Sequence, residues 1–256
     1  MTSVAHQPIV IPGTSDILLL CDHASNEVPE GIDLGIMPER LRLHIALDIG
    51  AEPLTRALAA RLDAPAILAT VSRLVIDLHR EPDHPGLIPT ISDGHVIPGN
   101  AETDAAARIE RFHKPYHEAL ARLIDETRPR LLAAIHSFTP RLETAPTDRP
   151  WEIGILYNED DRAARIAIDL LAAEGLTVGD NQPYSGKLLN ATLNRHGEGR
   201  GIPYLAIEVR QRPRRRCRRR RALDRNSRAR DRGDAQQGCV NRRKREIACR
   251  HDQPFR

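Results

Sequence analysis

The stretch ILLLCDHASNE, residues 17–27, contains the pattern from which the fold of this chain can be worked out. An aliphatic run, Ile17 to Cys21, ends directly in the polar cluster Asp22 to Glu27. An apolar run of this length that stops at polar residues is typical of a buried strand whose carboxyl end reaches a ligand crevice. The same pattern recurs further along the chain.

Four more apolar runs have the length and aliphatic composition of buried strands. They are Ala66 to Val71, Leu131 to Ile135, Ile153 to Tyr157 and Tyr204 to Val209. Helix-like segments with apolar residues at three- and four-residue spacings lie between the runs: Leu41 to Leu62, Ala101 to Ile124 and Asp161 to Ala173. Strands that alternate with helices predict an α/β fold, with a largely parallel sheet covered on both faces.

The charge of the chain is divided unevenly along its length. Up to Gln211, 20 Lys and Arg stand against 30 Asp and Glu, whereas residues 212–256 carry 18 against 5. The pI of 8.8 is therefore an average over two unlike segments, and it gives no evidence that the acidic part binds nucleic acid. We predict a folded domain of residues 1–211 and a separate tail of residues 212–256.

The tail has almost no apolar periodicity and contains seven arginines interrupted by one cysteine. This composition predicts a segment that is disordered on its own. One interpretation is a basic arm that binds nucleic acid or an anionic surface, with the body as an inactive scaffold. We favour the other, translation out of frame in a GC-rich coding region, for which arginine-rich, cysteine-dotted sequence is typical. Nucleic acid is then not a partner.

The composition also narrows the class of protein. No apolar run approaches the roughly 20 residues that a bilayer crossing needs, so we expect no membrane span. Cys21 is the one cysteine before the tail, and residues 1–12 do not resemble a signal peptide. Without a disulfide framework, a cytoplasmic enzyme is the expectation.

Polar residues gather where the predicted strands end, and we expect them to share one crevice. They comprise Asp22 to Glu27, Ser72-Arg73, Asp77 to Arg80, His136-Ser137 and, inside the last run, Glu208. Each has a structural alternative, since Arg73 and Asp77 could form an ion pair and Glu208 could pair with Arg210. Their joint placement at strand ends favours the functional interpretation.

This set of residues suits metal-assisted hydrolysis. His23 and His136 can be neutral ligands of one Zn²⁺, with a third ligand from the turn after His23. The metal activates water and polarises a substrate carbonyl, while Glu208 serves as general base and then as general acid toward a leaving nitrogen. Arg73 and Arg80 suit a substrate carboxylate, because guanidinium is a planar two-pronged donor.

Several other residues have two interpretations each. Asp48 could be a helix N-cap, or a ligand or orienter of His23. His113, Tyr116 and His117 could line the pocket or form a solvated face, whereas Tyr184 and His196 could help to hold the transition state. The long loop Glu81 to Asn100, with four Pro and three Gly, could be a lid or an ordered surface excursion.

At these residues the sequence resembles the N-formylglutamate amidohydrolase family, within the zinc-carboxypeptidase-like superfamily. The resemblance covers about residues 17–211 and rests on CDHASN, HIALDIGA, SRLVIDLHR, HKPYH, HSF and GIPYLAIEVRQ. It implies a three-layer α/β fold with a mixed sheet flanked by helices. It also implies hydrolysis of a small anionic N-acyl amino acid such as N-formyl-L-glutamate, with formate and glutamate as products. The implied roles are His23 and His136 as metal ligands, Glu208 as the catalytic carboxylate, and Arg73 and Arg80 as binders of substrate carboxylates.

The sequence departs from the superfamily pattern at the third metal ligand. The superfamily has His-x-x-Glu in its first motif, whereas here Asn26 stands three residues after His23 and Glu27 follows it. We predict Asn26 as the third ligand, with Glu27 or Asp48 as alternatives, and Asp77, Tyr184 and His196 beside the arginines in the substrate site. Similar proteins also continue with an acidic, apolar helical segment where this chain has its tail, so we expect exposed apolar surface on the body.

Overall fold

A computed structural model describes residues 6–145 and 147–211 of the chain. Seven strands form one mixed sheet: β1 (Ile9–Ile11), β2 (Ile17–Cys21), β3 (Ala66–Leu68), β6 (Leu131–Phe138), β7 (Ile153–Leu156), β8 (Val178–Asp180) and β9 (Tyr204–Arg210). Two short strands, β4 (Ile91–Ser92) and β5 (His95–Val96), make a separate hairpin. The helices are α1 (Ala51–Leu62), α2 (Ala105–Arg108), α3 (Lys114–Thr127), α4 (Arg162–Ala173) and α5 (Ala191–His196). The predicted tail, residues 212–256, lies outside the described ranges, so the division into domain and tail stays a prediction.

The order of the sheet is β1-β3-β2-β6-β9-β7-β8. The four central strands β3, β2, β6 and β9 run parallel, while β1 and β7 are antiparallel to their neighbours β3 and β9. The carboxyl ends of the four parallel strands therefore meet at one edge, as the sequence predicted. The predicted α/β class, a mixed sheet flanked by helices, is confirmed.

The two faces of the sheet bury different cores, because successive side chains of a strand point to opposite faces. Leu18 and Leu20 of β2 belong to the larger core, which α3 covers with Tyr116 and Leu120. Leu19 of the same strand belongs to a smaller core, packed against α1. The apolar run of β2 is continuous because both of its faces are buried.

An apolar groove of about 520 Å³ lies on the α1 face of the sheet, between α1 and α4. Its floor is formed by side chains of the central strands, including Leu19, Ala133 and Leu205. Ile166 and Leu170 of α4 line it and are each 64% exposed. Within the described ranges, the apolar surface exposed on this face belongs to helix side chains, since Leu19, Ala133 and Leu205 are at most 5% exposed.

The predicted helix from Leu41 to Leu62 is wrong in its first half. A 3₁₀ turn occupies Pro38–Arg42, an irregular segment follows, and α1 begins only at Ala51. Gly50 has a φ of 89°, a left-handed conformation that breaks a helix and that glycine adopts without a steric penalty. The backbone N–H of Asp48 donates to the carbonyl of His23 at 3.1 Å, which ties the irregular segment to the turn after β2.

β2 has the predicted ends, Ile17 and Cys21, and the other predicted elements are present with shifted ends. β3 stops at Leu68, three residues before the predicted end, and β6 continues to Phe138, three residues beyond it. The segment predicted to be helical from Ala101 contains α2 and α3 joined by a π-helical turn, Ile109–His113.

Candidate active site

A cavity of about 250 Å³ opens at the carboxyl edge of the parallel strands. Residues far apart in sequence line it together. The turn after β2 contributes His23, the segment after β3 contributes Arg73, His79 and Arg80, β6 contributes His136, and β9 contributes Glu208.

Two histidines and one carboxylate form the centre of this cavity wall. His136 Nδ1 lies 2.9 Å from Asp48 Oδ2, and His23 Nδ1 lies 3.4 Å from the same oxygen. All three side chains are buried, and one potential ligand atom of each lies within 4.8 Å of the others. Two imidazoles and a carboxylate are a donor set that suits zinc.

The electrostatics of this cluster favour bound positive charge. Burial alone would lower the pKa of His136, but the hydrogen bond and the charge of Asp48 outweigh burial and raise that pKa to about 9. The His23 pKa is also raised, because Asp77 and Asp48 outweigh burial and the charge of Arg73. A metal ion that replaces these protons is attracted by the same carboxylates, Asp48 and Asp77. The residues present therefore fit a divalent cation.

Asp77 and Arg73 hold the outer side of the cluster. Asp77 Oδ1 lies 2.7 Å from His23 Nε2. Arg73 donates from Nη1 to Asp48 at 3.2 Å and from Nη2 to Asp77 at 2.8 Å, so its two prongs link the two carboxylates. The ion pair between Arg73 and Asp77 that sequence analysis left open is therefore present.

The three candidates for the third ligand lie at different distances from the two histidines. The Asn26 amide donates to the carbonyl of Leu41 at 2.8 Å, and Asn26 is not part of the cavity wall. Glu27 is exposed and also lies outside the wall. Of the three candidates, Asp48 is the one that contacts both histidines, since the left-handed Gly50 and the bond to the His23 carbonyl bring it beneath them.

Glu208 lies on β9 in register with His136 on β6. Its side chain is buried, and Oε2 makes no hydrogen bond within the described ranges. Burial raises the pKa of Glu208 to about 7, although the charge of His136 acts in the opposite direction. A carboxyl group with this pKa can accept and return a proton near neutral pH.

The residues predicted to bind substrate fall into two groups. Arg73, Arg80 and Tyr184 line the cavity, and the Tyr184 hydroxyl accepts a hydrogen bond from Arg149 Nη1 at 3.0 Å. Asp77 and His196 are not part of the wall. Asp77 lies behind His23, and His196 stacks on His117 with a 3.0 Å contact between His196 Nε2 and His117 Nδ1.

His113 and His117 are buried rather than solvated, and they make hydrogen bonds to the backbone of the segment that carries His79 and Arg80. His117 Nε2 lies 3.0 Å from the carbonyl of Leu78, and His113 Nε2 lies 3.0 Å from the carbonyl of Arg80. Burial lowers the pKa of both rings, so each donates as a neutral imidazole. Neither ring lines the cavity, and their role is to fix the loop after β3.

The long loop of residues 81–100 supplies one wall of the cavity. Ser92 and Asp93, at the turn of the β4–β5 hairpin, line it together with Thr144. Asp93 accepts hydrogen bonds from the hydroxyl of Thr144 at 2.6 Å and from the backbone N–H of Glu143 at 2.9 Å, and it lies 2.9 Å from His44 Nε2. Sequence analysis missed these residues, although Asp93-Gly94 is a strong hairpin signal.

Comparison with known proteins identifies the family of this chain. A model of the N-formylglutamate amidohydrolase family matches residues 15–213. The chain belongs to this family. It is accordingly an amidohydrolase, and membership implies a small N-acyl amino acid as the class of substrate.

Two solved structures resemble this family member. One is the crystal structure of gene product Atu2144 from Agrobacterium tumefaciens, with 32% identity and a TM-score of 0.76, covering 80% of this chain and 85% of that chain. The other is N-formylglutamate amidohydrolase from Ralstonia eutropha JMP134, with 21% identity, a TM-score of 0.61 and the same coverages of 80% and 85%, which shows the shared fold. No curated protein sequence matches the chain. Among the helices of the described residues, none is long and apolar enough to span a bilayer.

Proposed function

We propose that this amidohydrolase is zinc-dependent and releases formate from N-formyl-L-glutamate or a closely similar anionic N-acyl amino acid. The observation that carries the proposal is the convergence of two histidine nitrogens on one oxygen of Asp48, beside the buried carboxyl of Glu208. The cytoplasmic location predicted from the cysteine pattern is part of the same proposal.

His23, Asp48 and His136 would hold the zinc ion, which when bound polarises the substrate carbonyl and makes water more acidic. Asp77 orients the His23 ring through its 2.7 Å contact with Nε2. Arg73 keeps both carboxylates in place and balances their charge.

Glu208 moves the proton of the reaction. Its carboxylate takes a proton from water as the water oxygen adds to the amide carbon, and then gives that proton to the nitrogen as the carbon–nitrogen bond breaks. One water is consumed for each amide, and the products are a carboxylic acid and an amine. The raised pKa of Glu208 suits both transfers.

Arg80 is the better candidate of the two cavity arginines for the substrate carboxylate. Arg73 already uses both prongs on Asp48 and Asp77. Arg80 uses Nη1 on the carbonyl of His79, and its Nη2 lies 3.9 Å from Asp77 Oδ2. Within the described ranges, the Nη2 and Nε of Arg80 make no hydrogen bond and are free to bind an anion.

The test measures bound zinc and formate release from N-formyl-L-glutamate on the full chain. We expect about one equivalent of zinc, lost in His136→Ala. We expect Glu208→Gln to retain zinc and to lower kcat by about 10²-fold or more, because a general base contributes on that scale. Glu118→Gln, an exposed position on α3, is the matched control and keeps wild-type activity. Formate release that persists after zinc is removed contradicts the proposal.

The alternative of nucleic-acid or anionic-surface binding falls on residues 212–256, outside the described ranges, and stays a prediction. A steep loss of DNA affinity with rising salt would support it.

A further inference from the structure

We propose that Asp22 is a positioning residue for His136. The Asp22 carboxylate accepts the proton on Nε2 of the His136 ring, and this directs Nδ1 of the ring toward the metal. The inference deepens the proposed function and rests on it, because it takes His136 as a zinc ligand. Asp22 is not one of the three proposed metal ligands, His23, Asp48 and His136.

Two buried polar atoms face each other at this point. His136 Nε2 is without a hydrogen-bond partner within the described ranges, and it lies 3.9 Å from Asp22 Oδ2. An unpaired buried donor or acceptor is costly, so a small tilt of the ring that joins the two atoms is favourable.

Asp22 is anchored on its other side. The hydroxyl of Tyr116, from α3, donates to Asp22 Oδ1. His79 Nδ1 lies 2.8 Å from Asp22 Oδ2, so His79 holds the carboxylate from the loop after β3. The Asp22 carboxylate is fully buried, and so its position is fixed by helix and loop rather than by solvent.

His23 already has the arrangement that we propose for His136, because each of its ring nitrogens lies close to a carboxylate. His23 has Nδ1 toward Asp48 and Nε2 at 2.7 Å from Asp77. His136 also has Nδ1 toward Asp48, and its Nε2 faces Asp22. Histidines that bind metal almost always donate the other ring N–H to a carboxylate or carbonyl, which fixes the tautomer. In the adjacent pair Asp22-His23, His23 is thus one proposed ligand, and Asp22 positions another, His136.

The test is zinc affinity, measured on the full chain by competition with a chelator. Asp22→Asn keeps the shape of the side chain but can place a donor where His136 needs an acceptor. We expect its zinc dissociation constant to rise by about 10- to 100-fold. Tyr116→Phe, which removes the anchor of Asp22, is expected to raise it by a smaller factor. Tyr157→Phe is the matched control, since that hydroxyl donates to Asp180, outside the cavity wall, and its loss leaves zinc affinity unchanged.

A purely structural role for Asp22 gives a different result. Asp22→Asn would then lower the melting temperature of the metal-free protein and leave the zinc dissociation constant as in the wild type, which overturns the inference alone. A second equivalent of zinc that Asp22→Asn removes would also overturn it, because Asp22, His79 and His136 would then be a cation site. A folded wild type without zinc overturns the proposed function instead.

A measurement on the wild type needs no variant to fold. In the zinc-loaded protein, nitrogen-15 spectra of the histidine rings are expected to show His136 protonated at Nε2, with a proton protected from exchange with water. A His136 ring whose Nε2 proton exchanges as fast as that of an exposed imidazole overturns the inference.

Discussion

At the scale of single residues, Asp48 is the side chain that assembles the site. One of its oxygens lies between His23 and His136, and the other accepts from Arg73. The backbone N–H of Ser137 also donates to it, at 3.3 Å. With these partners outweighing burial, the pKa of Asp48 lies well below its ordinary value, and the carboxylate remains ionised across the working range of an enzyme.

Asp93 allows a prediction about pH. Burial alone would raise the pKa of Asp93, but the hydrogen bonds from Thr144 and from the backbone of Glu143 hold it well below its ordinary value. A lowered folded-state pKa contributes stability that is fully present above the unfolded value of about 4 and is lost as pH falls toward the folded value.

We therefore expect Asp93→Asn to lower the melting temperature at pH 7. The decrease should be about 2–4 °C for each kcal/mol by which the free energy of unfolding falls. Thermal unfolding measured from pH 7 down to pH 3 should show a constant gap between wild type and variant at first. The gap should narrow below about pH 4. Asp148→Asn, at a side chain that is 88% exposed, is the control and should leave the melting temperature unchanged. A gap that widens at low pH contradicts this account.

At the scale of elements, the contact between β7 and β9 determines where Glu208 lies. Gly154 of β7 is in register with Glu208. A Cβ at Gly154 would lie 2.0 Å from the carbonyl oxygen of Gln182 and 3.3 Å from Glu208 Cβ. Either the backbone around Gln182 or the two strands must move to make room for it.

Gly154→Ala is accordingly expected to lower both stability and kcat, the latter by at least about 10-fold, because small displacements of a catalytic group are costly. Zinc content should remain near one equivalent, since the three proposed ligands come from other elements. Gly199→Ala is the matched control, with its nearest neighbour, the carbonyl oxygen of Asn194, at 3.3 Å. Wild-type kcat in Gly154→Ala would show that β7 does not position Glu208.

The elements also show how far the sequence could predict this fold. Apolar runs located β2, β3, β6, β7 and β9, because burial on both faces leaves a signal in each run itself. β1 and β8 are the two edge strands of the sheet, and their side chains are mostly exposed or half-buried, so neither leaves this signal. Leu43 and Leu47 are four residues apart, as on one face of a helix, yet they pack on the core from an irregular segment, so tertiary contacts override the local pattern there.

The candidate site was predictable in part for the same reason. Strand ends identified His23, His136 and Glu208, because parallel strands place their carboxyl ends together. The choice among Asn26, Glu27 and Asp48 depends on a loop path that brings residues 25 positions apart into contact. The sequence analysis could not supply that path and therefore could not single out Asp48 among the three.

At the scale of the whole molecule, the groove between α1 and α4 leaves apolar surface uncovered within the described ranges. Exposed apolar patches of this kind promote association. We expect Leu170→Lys, at a residue that is 64% exposed, to reduce both hydrophobic-dye binding and aggregation while leaving kcat unchanged. Met37→Lys, at a residue that is 67% exposed outside the groove, is the matched control. Equal reductions in the two variants would show that the groove has no special part in association.

The place of β9 in the sheet has a consequence for the order in which the enzyme is made. β9 is the last described strand along the chain, yet it lies between β6 and β7. Domains generally fold as units. Until Tyr204–Arg210 has been synthesised, the β1-β3-β2-β6 and β7-β8 parts of the sheet share no ladder of hydrogen bonds. The sheet can therefore close, and the proposed catalytic carboxylate of Glu208 can join the proposed ligands His23 and His136, only after nearly the whole domain has been made.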